Sequence, residues 1–364
     1  MKHWIKLAIL ALALFAFYLL VRPSEDPPRQ QPKPIDTPTQ SKTEPQTTSP
    51  NPKVEAGLKL GKVLDCTFGE KCWIARYSDR ARGKDKADYQ CGRRTQNNHK
   101  GTDFAVANFG EMKRGVAVLA AADGTVLRTR NNMQDISVLE TGQQSVKNKE
   151  CGNAAIIEHV SGYTTQYCHM RQGSVSVKPG DQVKAGDKIG LLGLSGDTEY
   201  PHMHLNVRKD GKRIDPFDGQ RLNTSCNSGN GSESLWKEQP PYTGMDLMPL
   251  VFSSEPLTRK TRWNIQPDSL QTDAPALIVT GIGWNIMVGD TWQFNIFRPD
   301  GSQATNRRLT AKKNRQSQWY ANRLFRPEGG FMPGVWKARL VVTRQNTDGT
   351  ISRYERNAEV LVTD

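Results

Sequence analysis

Four of the chain's six histidines fall into three short motifs: His99-Lys100-Gly101-Thr102-Asp103, Tyr167-Cys168-His169-Met170 and Pro201-His202-Met203-His204-Leu205. If the last motif is a strand, its side chains alternate between faces. His202 and His204 then project together, and Met203 and Leu205 turn toward a core. Two imidazoles on one strand face suit a metal ligand beside a proton-handling neighbour. His99 and Asp103 are also an even number of residues apart, so an extended segment would put both on one face. Zn2+ takes imidazole nitrogen and carboxylate oxygen, and a catalytic site uses three protein ligands with a fourth position open to water. Such a metal acidifies that water toward pKa about 7 and polarises a carbonyl. Unligated histidines nearby can take up the proton and stabilise an oxyanion. The remaining candidate, His159, stands at the end of an expected hairpin and reads as an ordinary packed residue.

These residues need a scaffold. From Leu58 to about Leu222, short apolar runs alternate with glycine-containing turns. The runs are Val116–Ala121, Gly124–Arg128, Ala154–Glu158, Tyr163–Cys168, Lys188–Leu192 and His202–Val207. Asp123-Gly124 and Ser161-Gly162 are hairpin signals. No long helical periodicity appears, so residues 58–222 read as a mainly β domain. Residues 223–244, with an Asn/Ser/Gly-rich start and Gln239-Pro240-Pro241, read as a linker. Residues 245–364 carry further strand patterns at Ala276–Thr280, Thr291–Phe297, Ser317–Ala321, Val335–Thr343 and Ile351–Val362, which suggest a β-sandwich accessory module. Its Trp292, Trp319, Tyr320 and Trp336 form either a binding face for glycan or protein, or part of the core; the weight of aromatics in cores favours the latter.

A chain of 364 residues has room for two or three domains. Its formal net charge of +13 suits an anionic partner: nucleic acid, a bacterial wall or an anionic lipid surface. Lys2 and Lys6 precede an apolar run from Leu7 to Val21, which Arg22-Pro23-Ser24 ends. Residues 1–22 therefore read as a signal segment. No small-x-small site closes the run, which favours an uncleaved anchor with residues 4–21 in the membrane; a cleaved signal peptide is the alternative. Residues 23–57, rich in Pro, Gln and Thr, read as a disordered linker. Export sets nucleic acid aside as a partner, and no nucleic-acid-binding motif is present. Six cysteines behind an export signal point to disulfides. Cys66 and Cys72 would close one small loop. Cys91, Cys151, Cys168 and Cys226 allow three pairings.

From Gly61 to Phe217 the chain resembles the lysostaphin/LytM-type zinc metallopeptidases, which share a duplicated hybrid motif fold. The resemblance is carried by HKGTDFAV (His99 to Val106), AADGTV (Ala121 to Val126), CGNAAIIEHVSGYTTQYCHM (Cys151 to Met170), VKPGDQVKAGDKIGLLGLSG (Val177 to Gly196) and PHMHLNVRKDGKRIDPF (Pro201 to Phe217). It implies a long antiparallel β-sheet with a groove above it, and one Zn2+ per chain held by His99, Asp103 and His204. It also implies that His169 and His202 are the catalytic pair, acting on peptide cross-links of peptidoglycan with a metal-activated water as nucleophile. Met170 and Met203 stand where the family often has leucine, and the cysteines lie outside its general pattern. Some members have lost ligands and only activate other wall hydrolases, but here every motif position is filled; the alternative reading, a silent envelope scaffold or activator, comes from the C-terminal β module and the long linker. The layout of anchor, linker and body suggests the periplasmic side of an inner membrane, and hence a direct cross-link rather than a glycine bridge. The C-terminal module would then offer a surface to an envelope protein.

Overall fold

The described residues are built mainly of β-strands. In the first part of the chain they are β1 (Cys72–Arg76), β2 (Thr102–Val106), β3 (Ala117–Leu119), β4 (Gly124–Arg130), β5 (Asn153–Glu158), β6 (Tyr163–Met170), β7 (Gln182–Val183), β8 (Lys188–Leu191), β9 (His202–Lys209) and β10 (Lys212–Ile214). The described helices, α1 (Phe109–Arg114) and α2 (Val138–Thr141), are short. This computed structural model describes residues 57–226 and 233–364. The expected signal segment and the linker up to residue 56 lie outside them. No helix among the described residues is long and apolar enough to cross a membrane.

Eight strands form one antiparallel sheet in the order β1-β2-β9-β6-β5-β4-β7, with β10 paired to β9. β3 and β8 make a separate ribbon. Beneath the large sheet, Phe104 and Val106 of β2 meet Met203, Leu205 and Val207 of β9, together with Ala155, Ile157 and Tyr167. Leu235 and Trp236, inside the stretch read as a linker, are buried in this core, and the backbone of Leu60 pairs with them. His159 is buried as well. Its Nδ1 meets the Asp123 carbonyl oxygen at 2.7 Å and its Nε2 meets Thr165 Oγ1 at 2.8 Å, so it ties a turn to the sheet.

The second part contains β11 (Asp246–Leu247), β12 (Val251–Ser253), β13 (Ser269–Gln271), β14 (Ala276–Ile286), β15 (Thr291–Phe297), β16 (Gln303–Thr310), β17 (Arg315–Phe325), β18 (Gly334–Gln345) and β19 (Ile351–Thr363). A four-stranded sheet (β11-β14-β12, with β17 on β14) packs on a five-stranded one (β13-β19-β18-β15-β16), giving the expected sandwich. The single parallel pairing there is β13 with β19. Trp292 and Trp336 are core residues, which removes them from a binding face. Room for Trp292 comes from Gly281 and Gly283, where an added Cβ would press on its ring. Tyr320 packs against the same core, and Trp319 is half-buried with Arg262 over its ring.

Every residue of β14 is buried. Leu277 and Val279 face the sandwich core. Ile282 and Trp284 instead join Trp73, Ala75, Ala105 and Tyr200 from the first sheet, along with Met248 and Trp263. The cysteines pair as Cys66–Cys72, as expected, and as Cys91–Cys226 and Cys151–Cys168.

One buried acid gives a test of the folded state. Asp215, just after β10, is fully buried; its Oδ1 accepts from the Phe217 amide and its Oδ2 has no hydrogen-bond partner. Burial first, and then the neighbouring Asp218, pushes its carboxyl up to about 7. The unfolded chain loses this proton near pH about 3.9, and the folded chain near 7. Its contribution to stability is therefore complete below about pH 4 and is lost as pH rises through the folded value. Urea midpoints of wild type minus Asp215→Asn should fall across that window; a flat difference would refute a neutral Asp215.

Candidate metal centre

Two strand pairings bring the chemistry-bearing residues together. β2 sets Asp103 opposite His204 and Ala105 opposite His202 of β9. On the other side of β9, β6 sets Cys168 opposite His204. A bulge then redirects the end of β6. Between the Asn153–Met170 and Ala155–Tyr167 pairs, two residues (Cys168 and His169) stand against one, Ala154. His169 adopts a left-handed φ of 61° at this point. The bulge lets His169 join the cleft although its strand position alone would not place it there.

His99 is not in a strand. It reaches the site from the loop before β2, and its Nδ1 lies 2.8 Å from the Tyr77 carbonyl oxygen. That contact makes Nδ1 the donor and leaves Nε2 free to face Asp103 Oδ1 at 3.1 Å. His204 Nδ1 is 2.8 Å from the same oxygen, and His202 Nε2 is 3.5 Å from it. Ligand atoms of His99, Asp103 and His204 all lie within 4.8 Å of one another. Gly101 makes this approach possible, because a Cβ there would run into the Leu205 carbonyl and the His204 ring. Two imidazoles and a carboxylate converging in this way fit the donor set of a zinc site.

His169 and His202 stand beside the cluster, their ring centroids 4.7 Å apart. His169 Nδ1 lies 2.8 Å from the Ser195 carbonyl oxygen, and His202 Nδ1 lies 2.9 Å from that of Tyr200. Each ring thus donates through Nδ1 to a carbonyl and keeps Nε2 for the cleft. Burial first, and then His202 and His204, pushes His169 well below the usual imidazole range, so it is neutral at pH 7. Burial likewise lowers His204. At Asp103 burial acts to raise the carboxyl, but the surrounding His99, His202 and His204 outweigh it and hold it well below the carboxylate range.

Sequence reading missed two groups here. The Tyr200 hydroxyl donates to Asp103 Oδ2 at 3.3 Å, and its ring stacks on His202 at 4.5 Å. Arg76 of β1 brings Nη1 to 3.7 Å from the same Oδ2. Tyr200 stands next to the third motif and could have been noticed; nothing in the sequence links Arg76 to Asp103. The five histidine and aspartate candidates line one cleft of about 730 Å³.

The model of peptidase family M23 matches residues 97–216. An "uncharacterized metalloprotease" of Buchnera aphidicola is 34% identical over 118 residues, covering 32% of this chain and 25% of that protein. The peptidoglycan DD-endopeptidase ShyA of Vibrio cholerae is 32% identical over 116 residues, covering 32% of this chain and 21% of that protein. A crystal structure of a zinc-containing peptidase from Vibrio cholerae aligns at 26% identity over 40% of this chain and 39% of its own, with a TM-score of 0.25. The chain spans a quarter or less of the length of these two curated relatives.

Proposed function

On the premise that the chain carries a peptidase family M23 domain at residues 97–216, we propose that it is a zinc metalloendopeptidase cutting peptide cross-links of bacterial peptidoglycan. The observation that carries this reading is the convergence of His99, Asp103 and His204, with His169 and His202 in the same cleft. The likeness to a peptidoglycan DD-endopeptidase supports the substrate class. Three disulfides and the Lys2–Val21 segment support a place on the periplasmic side of the envelope, with the segment as anchor.

In this reading His99, Asp103 and His204 would hold one Zn2+, which would supply Lewis-acid chemistry, acidifying a water and polarising the scissile carbonyl. The neutral His169 accepts the water's proton at Nε2 and passes it to the departing amine. The Ser195 carbonyl fixes the tautomer that makes this possible. His202, its ring 4.7 Å from that of His169, keeps Nε2 for the cleft, where it accepts a hydrogen bond from the attacking water and orients it. Tyr200 and Arg76 hold the Asp103 carboxylate in orientation through its Oδ2.

The test is digestion of intact sacculi by protein beginning near Val54, with and without chelator and zinc add-back. The expected result is release of uncross-linked stem peptides that chelator stops and zinc restores. His169→Ala should keep its zinc while turnover falls by about 10²- to 10⁴-fold. Zinc-loaded wild-type protein that releases nothing from any sacculus would favour the activator reading.

A further inference from the structure

The cleft-facing row of β9 continues beyond its histidines. Strand alternation sets His202, His204, Asn206 and Arg208 on one side. Gln166 of β6 lies opposite Asn206, and Arg213 of β10 lies opposite Arg208. All of these line the same cleft as the candidate ligands. The β9–β10 turn is only two residues long, Asp210-Gly211, both at positive φ (48° and 73°). A tight turn of this kind fixes the register that sets the two arginines side by side.

This pair lacks a counter-ion. Among the described residues neither Arg208 nor Arg213 forms an ion pair. The Arg213 Nε is buried with no hydrogen-bond partner. Nearby acids are engaged elsewhere. Asp79 accepts from the Ala81, Ala87 and Asn98 amides, and Asp210 lies against Gly162. Asn206, 5% exposed, likewise has an Oδ1 with no hydrogen-bond partner. Burial and the adjacent Arg208 both act to lower the Arg213 pKa, the signature of two cations held close together. The same cleft also carries Glu150, Asp197 and Glu199, the last paired with Arg259.

We propose that Arg208 and Arg213 form a carboxylate-binding subsite for the substrate peptide. Paired guanidinium groups match a carboxylate in charge and in planar geometry. Four strand steps separate His204 from Arg208, which puts their Cα atoms about 13 Å apart along β9. The inference rests on the endopeptidase reading and adds to it a preference for an acidic peptide bound in one direction.

Calorimetric binding to the metal-free protein tests it without requiring cleavage. The probes are purified cross-linked muropeptides, with their carboxyl groups either free or converted to amides by carbodiimide and ammonia. Wild-type protein should bind the amidated form about tenfold or more weakly. Arg208→Gln and Arg213→Gln should weaken binding of the free-acid form by a similar factor and leave the amidated form unchanged. Lys209→Gln, whose side chain lies over the Tyr163 ring, should change neither. Equal binding of both forms by wild-type protein, binding of neither, or arginine variants that keep the wild-type preference would overturn the subsite. Discrimination in binding without cleavage of either form by zinc-loaded protein would support the subsite and remove the endopeptidase reading.

Discussion

Asp103→Ala should reduce bound zinc from about one per chain to near none and bring cross-link cleavage below detection. Asp103 is fully buried, and three histidine nitrogens converge on its Oδ1. No other carboxylate is present in the candidate ligand cluster. Its loss leaves two imidazoles, fewer than a catalytic zinc site uses. Asp103→Asn serves as the control for folding. It keeps the side-chain shape beside Tyr200 and Arg76 while replacing a charged ligand oxygen with a neutral amide. Both variants should lose metal, and the Asn variant should melt close to metal-free wild type. Zinc content by plasma spectrometry, read with the release of stem peptides, decides the matter. Unchanged turnover by Asp103→Ala would end the assignment of the site.

The second large effect is expected far from the ligands in sequence. Trp284 of β14 is buried, with its ring 5.2 Å from Tyr200 and 5.8 Å from Trp263. Tyr200 in turn reaches Asp103 through its hydroxyl. Truncating Trp284 to alanine should cost about 3–5 kcal/mol of stability through the cavity it leaves. It should also lower zinc affinity, because a looser Tyr200 no longer orients the carboxylate; loss of such a supporting contact typically costs about 10- to 100-fold. Tyr200→Phe separates the two effects, since it removes the hydroxyl and keeps the stack. Zinc affinity that is wild-type in both variants would show that the sandwich supports the fold but not the site. The same packing means that ending the chain near residue 244 would expose Trp73, Ala75, Ala105 and Tyr200.

What the sequence made legible follows from local periodicity. Alternation in β9 turned Met203 and Leu205 to the core, and they are buried there, while His202 and His204 both face Asp103. β15 shows the same regularity, with Trp292, Phe294 and Ile296 inward. Reading His99 and Asp103 as one extended segment was mistaken in detail, because a loop held by the Tyr77 carbonyl delivers His99. The bulge at Cys168-His169 left no local mark, since it depends on a partner strand that closes around one residue fewer. Arg76, Trp263 and Trp284 were illegible for a related reason. Their positions are set by sheets that meet across long sequence separations, and no pattern within a short window encodes such a meeting.

The two-faced character of β9 constrains how this protein can vary over generations. One side of the strand carries His202, His204, Asn206 and Arg208, and the other carries Met203, Leu205 and Val207. Point substitutions at the cleft positions can retune chemistry or selectivity while the packed side stays intact. A single inserted or deleted residue upstream, if absorbed by slippage of the strand, would drive the imidazoles into the interior and the aliphatics into the cleft. Drift in this segment is thus confined to exchanges of side chain, and changes of length must accumulate in the loops on either side.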